Sequence, residues 1–96
     1  GPYIERVNGL APANAQATTT SSVIVAANPG RKGLVITNIS TGTVYLGINN
    51  TSTLNAGICL AASVGTWSMD DYTFTLEAIT AIAHASASVV TVQEFV

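Results

Sequence analysis

The chain has 96 residues and a formal net charge of −2, and only 8% of its residues are charged although 48% are hydrophobic. Three basic residues build no basic patch or stripe, which removes the electrostatic footing for nucleic-acid binding and for a cationic membrane-binding face. No apolar run approaches the ~20 residues of a membrane span, and the single cysteine, Cys59, has no partner for an internal disulfide.

This length fits one domain, which buries roughly 60–70% of the surface its unfolded chain exposes. A charged fraction of about 25% is usual, so the polar surface here must come from Thr, Ser and Asn. Such a surface has little electrostatic protection against association. It suits a protein covered by copies of itself or by another protein.

Gly1-Pro2 reads as the remnant of a cleaved affinity tag and is set aside. From Tyr3 to Ala17, Gly9 and Pro12 cut short any helix that Tyr3, Ile4, Val7 and Leu10 would line. The segment reads as an extended arm whose apolar residues need a surface to lie on. The organisation expected is therefore residues 1–17 as remnant and arm, and 18–96 as a β domain. Thr18 to Ala27 is rich in β-branched residues and reads as the first strand, ended by Asn28-Pro29-Gly30, where Pro29 fixes its φ and Gly30 allows a positive one. Leu34-Val35-Ile36 is apolar on both faces, as in a strand covered on both sides. Val44, Leu46 and Ile48 alternate with Tyr45 and Gly47, as in a strand with one packed face.

Leu54, Ile58 and Leu60 are interrupted at Asn55-Ala56-Gly57, which predicts a loop and then a short strand. Thr66 to Met69 is another short strand, and Asp70-Asp71-Tyr72 opens a loop. Phe74, Leu76 and Ala78 alternate with polar neighbours, predicting a half-buried strand. A bend near Ala78-Ile79 leads to a strand over Ile79 to His84, and Ala87 to Val96 is the last strand. About eight short strands at ~8–12-residue spacing predict an all-β fold: a small antiparallel sandwich or jelly-roll-like barrel.

The inventory for catalysis is thin. His84 is the only histidine and sits in an Ala/Ile strand. No Gly-x-Ser-x-Gly elbow accompanies it, and one Cys and one His are too few for zinc. Asp70 and Asp71 read as a solvated turn rather than a Ca²⁺ loop. Gly30-Arg31-Lys32-Gly33 lacks the spacing of a P-loop and precedes a strand. Neither an enzyme nor a cofactor or metal site is expected. Arg31 reads as an ion-pair anchor with Glu77 and Glu94 as candidates, and Glu94 is preferred. Asn38-Ile39-Ser40, Asn49-Asn50-Thr51 and Asn50-Thr51-Ser52 match the N-glycosylation pattern by chance in a chain so rich in these residues. Tyr45, Trp67 and Tyr72 could stack on a sugar.

Asn28-Pro29-x-Arg31-x-Gly33-Leu34-Val35-Ile36-x-Asn38, then Tyr45-Leu46-Gly47-Ile48, Ile79-x-Ala81-Ile82-Ala83 and Val90-Thr91-Val92-x-Glu94, together resemble small β-sandwich virion proteins of tailed bacteriophages, of the capsid decoration (cement) and head-fibre type. The likeness covers roughly Ser22 to Val96. The segment Tyr3–Ala17 departs from it, and Leu76-Glu77-Ala78 stands where a glycine-rich turn is expected. The resemblance implies a non-enzymatic protein of the capsid surface, present in the host cytoplasm during assembly. Its partners would be itself, as a trimer in preference to a dimer, and the major capsid protein. Tyr3, Ile4, Val7 and Leu10 would lie at a capsid or subunit interface. The alternative is a receptor- or glycan-binding module of a fibre, with Tyr45, Trp67 and Tyr72 on the sugar and Asp70 and Asp71 beside it.

Overall fold

A computed structural model describes residues 6–96; Tyr3 and Ile4 lie outside them. Eight strands run in chain order: β1 (Ala13–Ala17), β2 (Ser22–Val25), β3 (Gly33–Asn38), β4 (Val44–Ile48), β5 (Ile58–Leu60), β6 (Thr66–Ser68), β7 (Ile79–Ala83) and β8 (Ser88–Phe95). They form two four-stranded antiparallel sheets, β1-β8-β3-β6 and β2-β7-β4-β5, and no helix occurs among the described residues.

Period-2 alternation sets the core. Leu34, Ile36 and Val90 of the first sheet meet Val44, Leu46, Leu60, Ile79, Ala81 and Ala83 of the second, all buried. Register fixes these faces: Ile36 lies opposite Val92, and Leu46 opposite Ala81. A one-residue slip in either pair would turn its apolar set to water. Alanines at 81 and 83 leave room for the larger side chains facing them, as close packing requires.

Several expectations are corrected. Within the segment expected as an arm, Ala13–Ala17 form a strand of the first sheet. Ala13 to Ala17 pair in unbroken register with Val92 to Ser88. Farther upstream, Asn8 exchanges backbone hydrogen bonds with Val96 (2.7 and 2.8 Å), and Leu10 N–H donates to Glu94 O (2.8 Å). β8 offered an unsatisfied edge, and backbone pairing overrode the weak β-propensity of Ala, Asn and Gln. A boundary at 17/18 therefore cuts between two strands of one domain. The first strand expected over Thr18 to Ala27 shrinks to β2, because Thr18 to Ser21 carry the chain from one sheet to the other. There Thr18 Oγ1 accepts from Thr20 N–H (3.3 Å) and Thr18 O accepts from Ala83 N–H (2.8 Å).

Residues 73–78, expected as a strand, pair with nothing as a ladder. Val35 is half-buried, so the outer face of β3 is open rather than covered. Gly30 does not use a positive φ. Asn28 O accepts from Arg31 N–H (3.1 Å) and Asn28 Oδ1 from Gly30 N–H (3.0 Å), closing the turn with the asparagine side chain.

Candidate functional site

The turn after β2 aims one cation inward. Arg31 is 2% exposed, and four of its N–H···O contacts are satisfied by protein. Nε donates to Glu94 Oε2 on β8 (2.7 Å), Nη1 to Thr75 O (3.1 Å) and Glu77 O (2.8 Å), and Nη2 to Ala26 O (2.7 Å). Glu77 thus contributes its backbone carbonyl, while Glu94 contributes the carboxylate. A planar guanidinium with five donors fits such a fan of acceptors, and a lysine ammonium does not. The arginine replaces the missing ladder: it holds residues 75–77 against the end of the sandwich without a neighbouring strand.

The held loop turns apolar side chains outward. Tyr72 is 97% exposed, Phe74 48% and Leu76 38%. At the start of the loop, Asp70 Oδ1 accepts from Tyr72 N–H (2.8 Å), Thr73 N–H (3.0 Å) and Thr73 Oγ1 (3.1 Å). The Tyr72 amide first, then the Thr73 hydroxyl, hold the Asp70 carboxyl below its ordinary pKa.

Two hollows meet at Phe74. One, of about 370 Å³, runs between the edges of the two sheets and is lined by Ile48, Ile58, Trp67, Tyr72 and Phe74. The other, of about 400 Å³, is lined by Val7, Lys32, Asp71 and Phe74. Val7 (55% exposed) therefore shares a surface with the loop, and Leu10 is also exposed.

Of the three aromatic residues assigned to a sugar, Trp67 and Tyr72 come together. Tyr45 does not join them. It is buried, its hydroxyl donates to Asn55 Oδ1 (2.9 Å), and its ring meets His84 edge-on with centroids 5.7 Å apart. His84 Nε2 lies 3.4 Å from the Tyr45 hydroxyl and 3.3 Å from Asn55 Oδ1. The described residues contain no group of three or more His, Cys, Asp or Glu able to hold a metal ion.

Asn38, which closes the Asn28–Asn38 motif of the resemblance and matches a glycosylation pattern, is a second internal anchor. Its side chain is fully buried. Nδ2 donates to Gly42 O (2.8 Å), Leu60 O (2.9 Å) and Ala61 O (3.2 Å), while Oδ1 accepts from Ser40 N–H (2.9 Å) and Ser40 Oγ (2.6 Å). The same Asn-x-Ser spacing is a turn signal, and the turn is what Asn38 and Ser40 build. The outward display of Phe74 and Leu76 had no such signal, because their alternation is that of a packed strand.

Comparison with protein-family models, with curated proteins and with solved structures gives no match for this chain.

Proposed function

We propose that this chain is a non-enzymatic structural protein of a virion, one that decorates or stabilises a phage capsid by associating with its own copies and with the major capsid protein. The observation that carries the reading is the loop bearing Tyr72, Phe74 and Leu76: three apolar residues exposed to water on a segment tethered from beneath by Arg31. Exposed apolar clusters beside charged residues mark interaction surfaces. Pre-ordering the loop lowers the entropy cost of binding. With few charges on the chain, covering this surface strips little bound water from ions. The resemblance favours a trimer and a place on the capsid surface.

We also infer that the sandwich is wound as a jelly roll. The support is a nested pairing: β1 with β8, β2 with β7, β3 with β6 and β4 with β5, each antiparallel. A long hairpin folded at the β4–β5 connection and rolled into two sheets gives this order. Jelly rolls recur in viral capsid and lectin domains alike, so the winding is compatible with both functional readings.

The test is the heat stability of the intact particle assembled with and without this protein. Omission should lower the temperature at which the shell opens, and Phe74→Asp should lose binding to the shell while remaining folded. Equal opening temperatures would reject the reading. A second reading, a glycan-binding fibre module, draws on the cleft that Trp67 and Tyr72 share. It predicts glycan-array binding that Trp67→Ala abolishes.

A further inference from the structure

We propose that the free edge of β1 pairs antiparallel with β1 of a second copy, about a two-fold axis passing beside Ala15. The inference rests on the reading of the chain as a self-associating protein, and it puts a two-fold contact in place of the trimer that the resemblance favours.

Among the described residues the two sheets have four edges: β1 and β6 in one, β2 and β5 in the other. Proteins defend edges by shortening them, bulging them or charging them. β5 and β6 have only three residues each. β2 has four and carries a register irregularity between Val23 and Val25. β1 has none of these defences. It is five residues long, runs in unbroken register along β8, and contains no charge, proline or glycine. Alternate residues of such a strand point N–H and C=O groups away from the sheet, and these are donors and acceptors for another strand.

The sequence of β1 suits a copy of itself. Ala13-Asn14-Ala15-Gln16-Ala17 keeps its pattern when read backwards. Antiparallel pairing centred on Ala15 sets Ala13 against the partner's Ala17, Ala15 against the partner's Ala15, and Asn14 against the partner's Gln16. The alanines share the inner face, where Ala15 and Ala17 already pack on the core. Asn14 and Gln16 are exposed on the outer face. Each carboxamide there offers both a donor and an acceptor to the one opposite. A two-fold contact requires such self-complementarity, and no charge must be desolvated to form it.

Two first sheets would join into one continuous sheet with β1 and the partner's β1 at its middle. Five residues a side is a small contact, so the dimer is expected at the weak end of specific association, with a dissociation constant on the order of micromolar.

Sedimentation equilibrium of the full chain from roughly 1 to 100 µM spans this range. The expected result is a monomer–dimer equilibrium. In Asn14→Lys/Gln16→Lys the pairing sets two lysines against each other at two symmetric positions, and the dissociation constant should rise by about tenfold or more. In Asn14→Lys/Gln16→Glu the same register sets lysine against glutamate twice, and the dimer should return to at least its original strength. Circular dichroism establishes that both variants are folded. A monomeric or trimeric wild type, an unchanged constant in the lysine pair, or no recovery in the lysine–glutamate pair would overturn the β1 contact. Shell binding and its loss in Phe74→Asp are read separately, so the capsid reading and the β1 contact can fail independently.

Discussion

Arg31 Nε meets Glu94 Oε2 at 2.7 Å across 63 positions of chain, with the arginine side chain wholly enclosed and the glutamate side chain 16% exposed. One contact joins the turn after β2 to β8, and the same guanidinium grips the loop before β7. Arg31→Ala should therefore lower stability by about 3–5 kcal/mol, because it leaves a carboxylate and three carbonyls without their donor. Arg31→Lys should recover only a minor part of that loss, since a point ammonium does not span the acceptors. Urea unfolding followed by circular dichroism measures both.

Gly65 sits where the chain turns between β5 and β6. A Cβ there would lie 2.6 Å from Leu60 C and 2.7 Å from Ala61 O, and closer still to Ala61 N. All three are backbone atoms of the turn itself. Gly65→Ala should cost about 3 kcal/mol, at the upper end of ordinary overpacking, read from the shift in the urea midpoint.

Ala87, in the turn between β7 and β8, holds φ at 60°. An L-residue pays roughly 1–2 kcal/mol in this region, while glycine loses more conformational freedom on folding, worth roughly 0.5–1 kcal/mol. Ala87→Gly should leave a net gain approaching 1 kcal/mol. Calorimetry should find the melting temperature raised by about 4–8 °C per kcal/mol gained.

The Asp70 carboxyl is held below its ordinary value of 3.8, chiefly by the Tyr72 amide and then by the Thr73 hydroxyl. A carboxyl lowered in the folded state adds stability that is complete above the unfolded-state value and disappears as pH falls through the folded one. Order in the Tyr72–Thr73 turn should thus persist down to pH 3.8 and loosen below it. An NMR titration of the Asp70 side chain should give a midpoint under 3.8, with the Tyr72 and Thr73 amide shifts moving in the same step. A midpoint at or above that value would contradict the geometry.

The strands of the interior were legible because burial imposes period 2. Val44 and Leu46, and Ile79, Ala81 and Ala83, face the core on the side their alternation predicts, whereas the unbroken apolar run Leu34-Val35-Ile36 hid the period: Leu34 and Ile36 are buried and Val35 lies on the open face. β1 was not legible, since nothing in Ala-Asn-Ala-Gln-Ala favours a strand; only the open edge of β8, 79 positions later in the pairing of Ala13 with Val92, makes it one. Phe74 and Leu76 misled for the opposite reason: their spacing is that of a strand, but Arg31 takes the carbonyls a neighbour would need. The site is divided in the same way. The pairing of Arg31 with Glu94 is legible, because both lie near the core edge. The separation of Tyr45 from Trp67 and Tyr72 depends on the different sheets that hold Tyr45 and Trp67 and on where the Tyr72 loop folds, and local spacing does not encode that.

The nested strand pairing also bears on how quickly the molecule can assemble itself. Only β4 and β5 are neighbours along the chain and in a sheet; the pairs β3–β6, β2–β7 and β1–β8 enclose them in turn, and the remaining pairs, β4–β7 and β3–β8, also close long loops. The entropy of ring closure grows with each wider loop, so order should spread outward from Tyr45 and Cys59 toward Ala13 and Val92, and the time needed should be long for so short a polypeptide. The strand at the rim, last to be captured by this arithmetic, is the one with the least apolar surface to contribute.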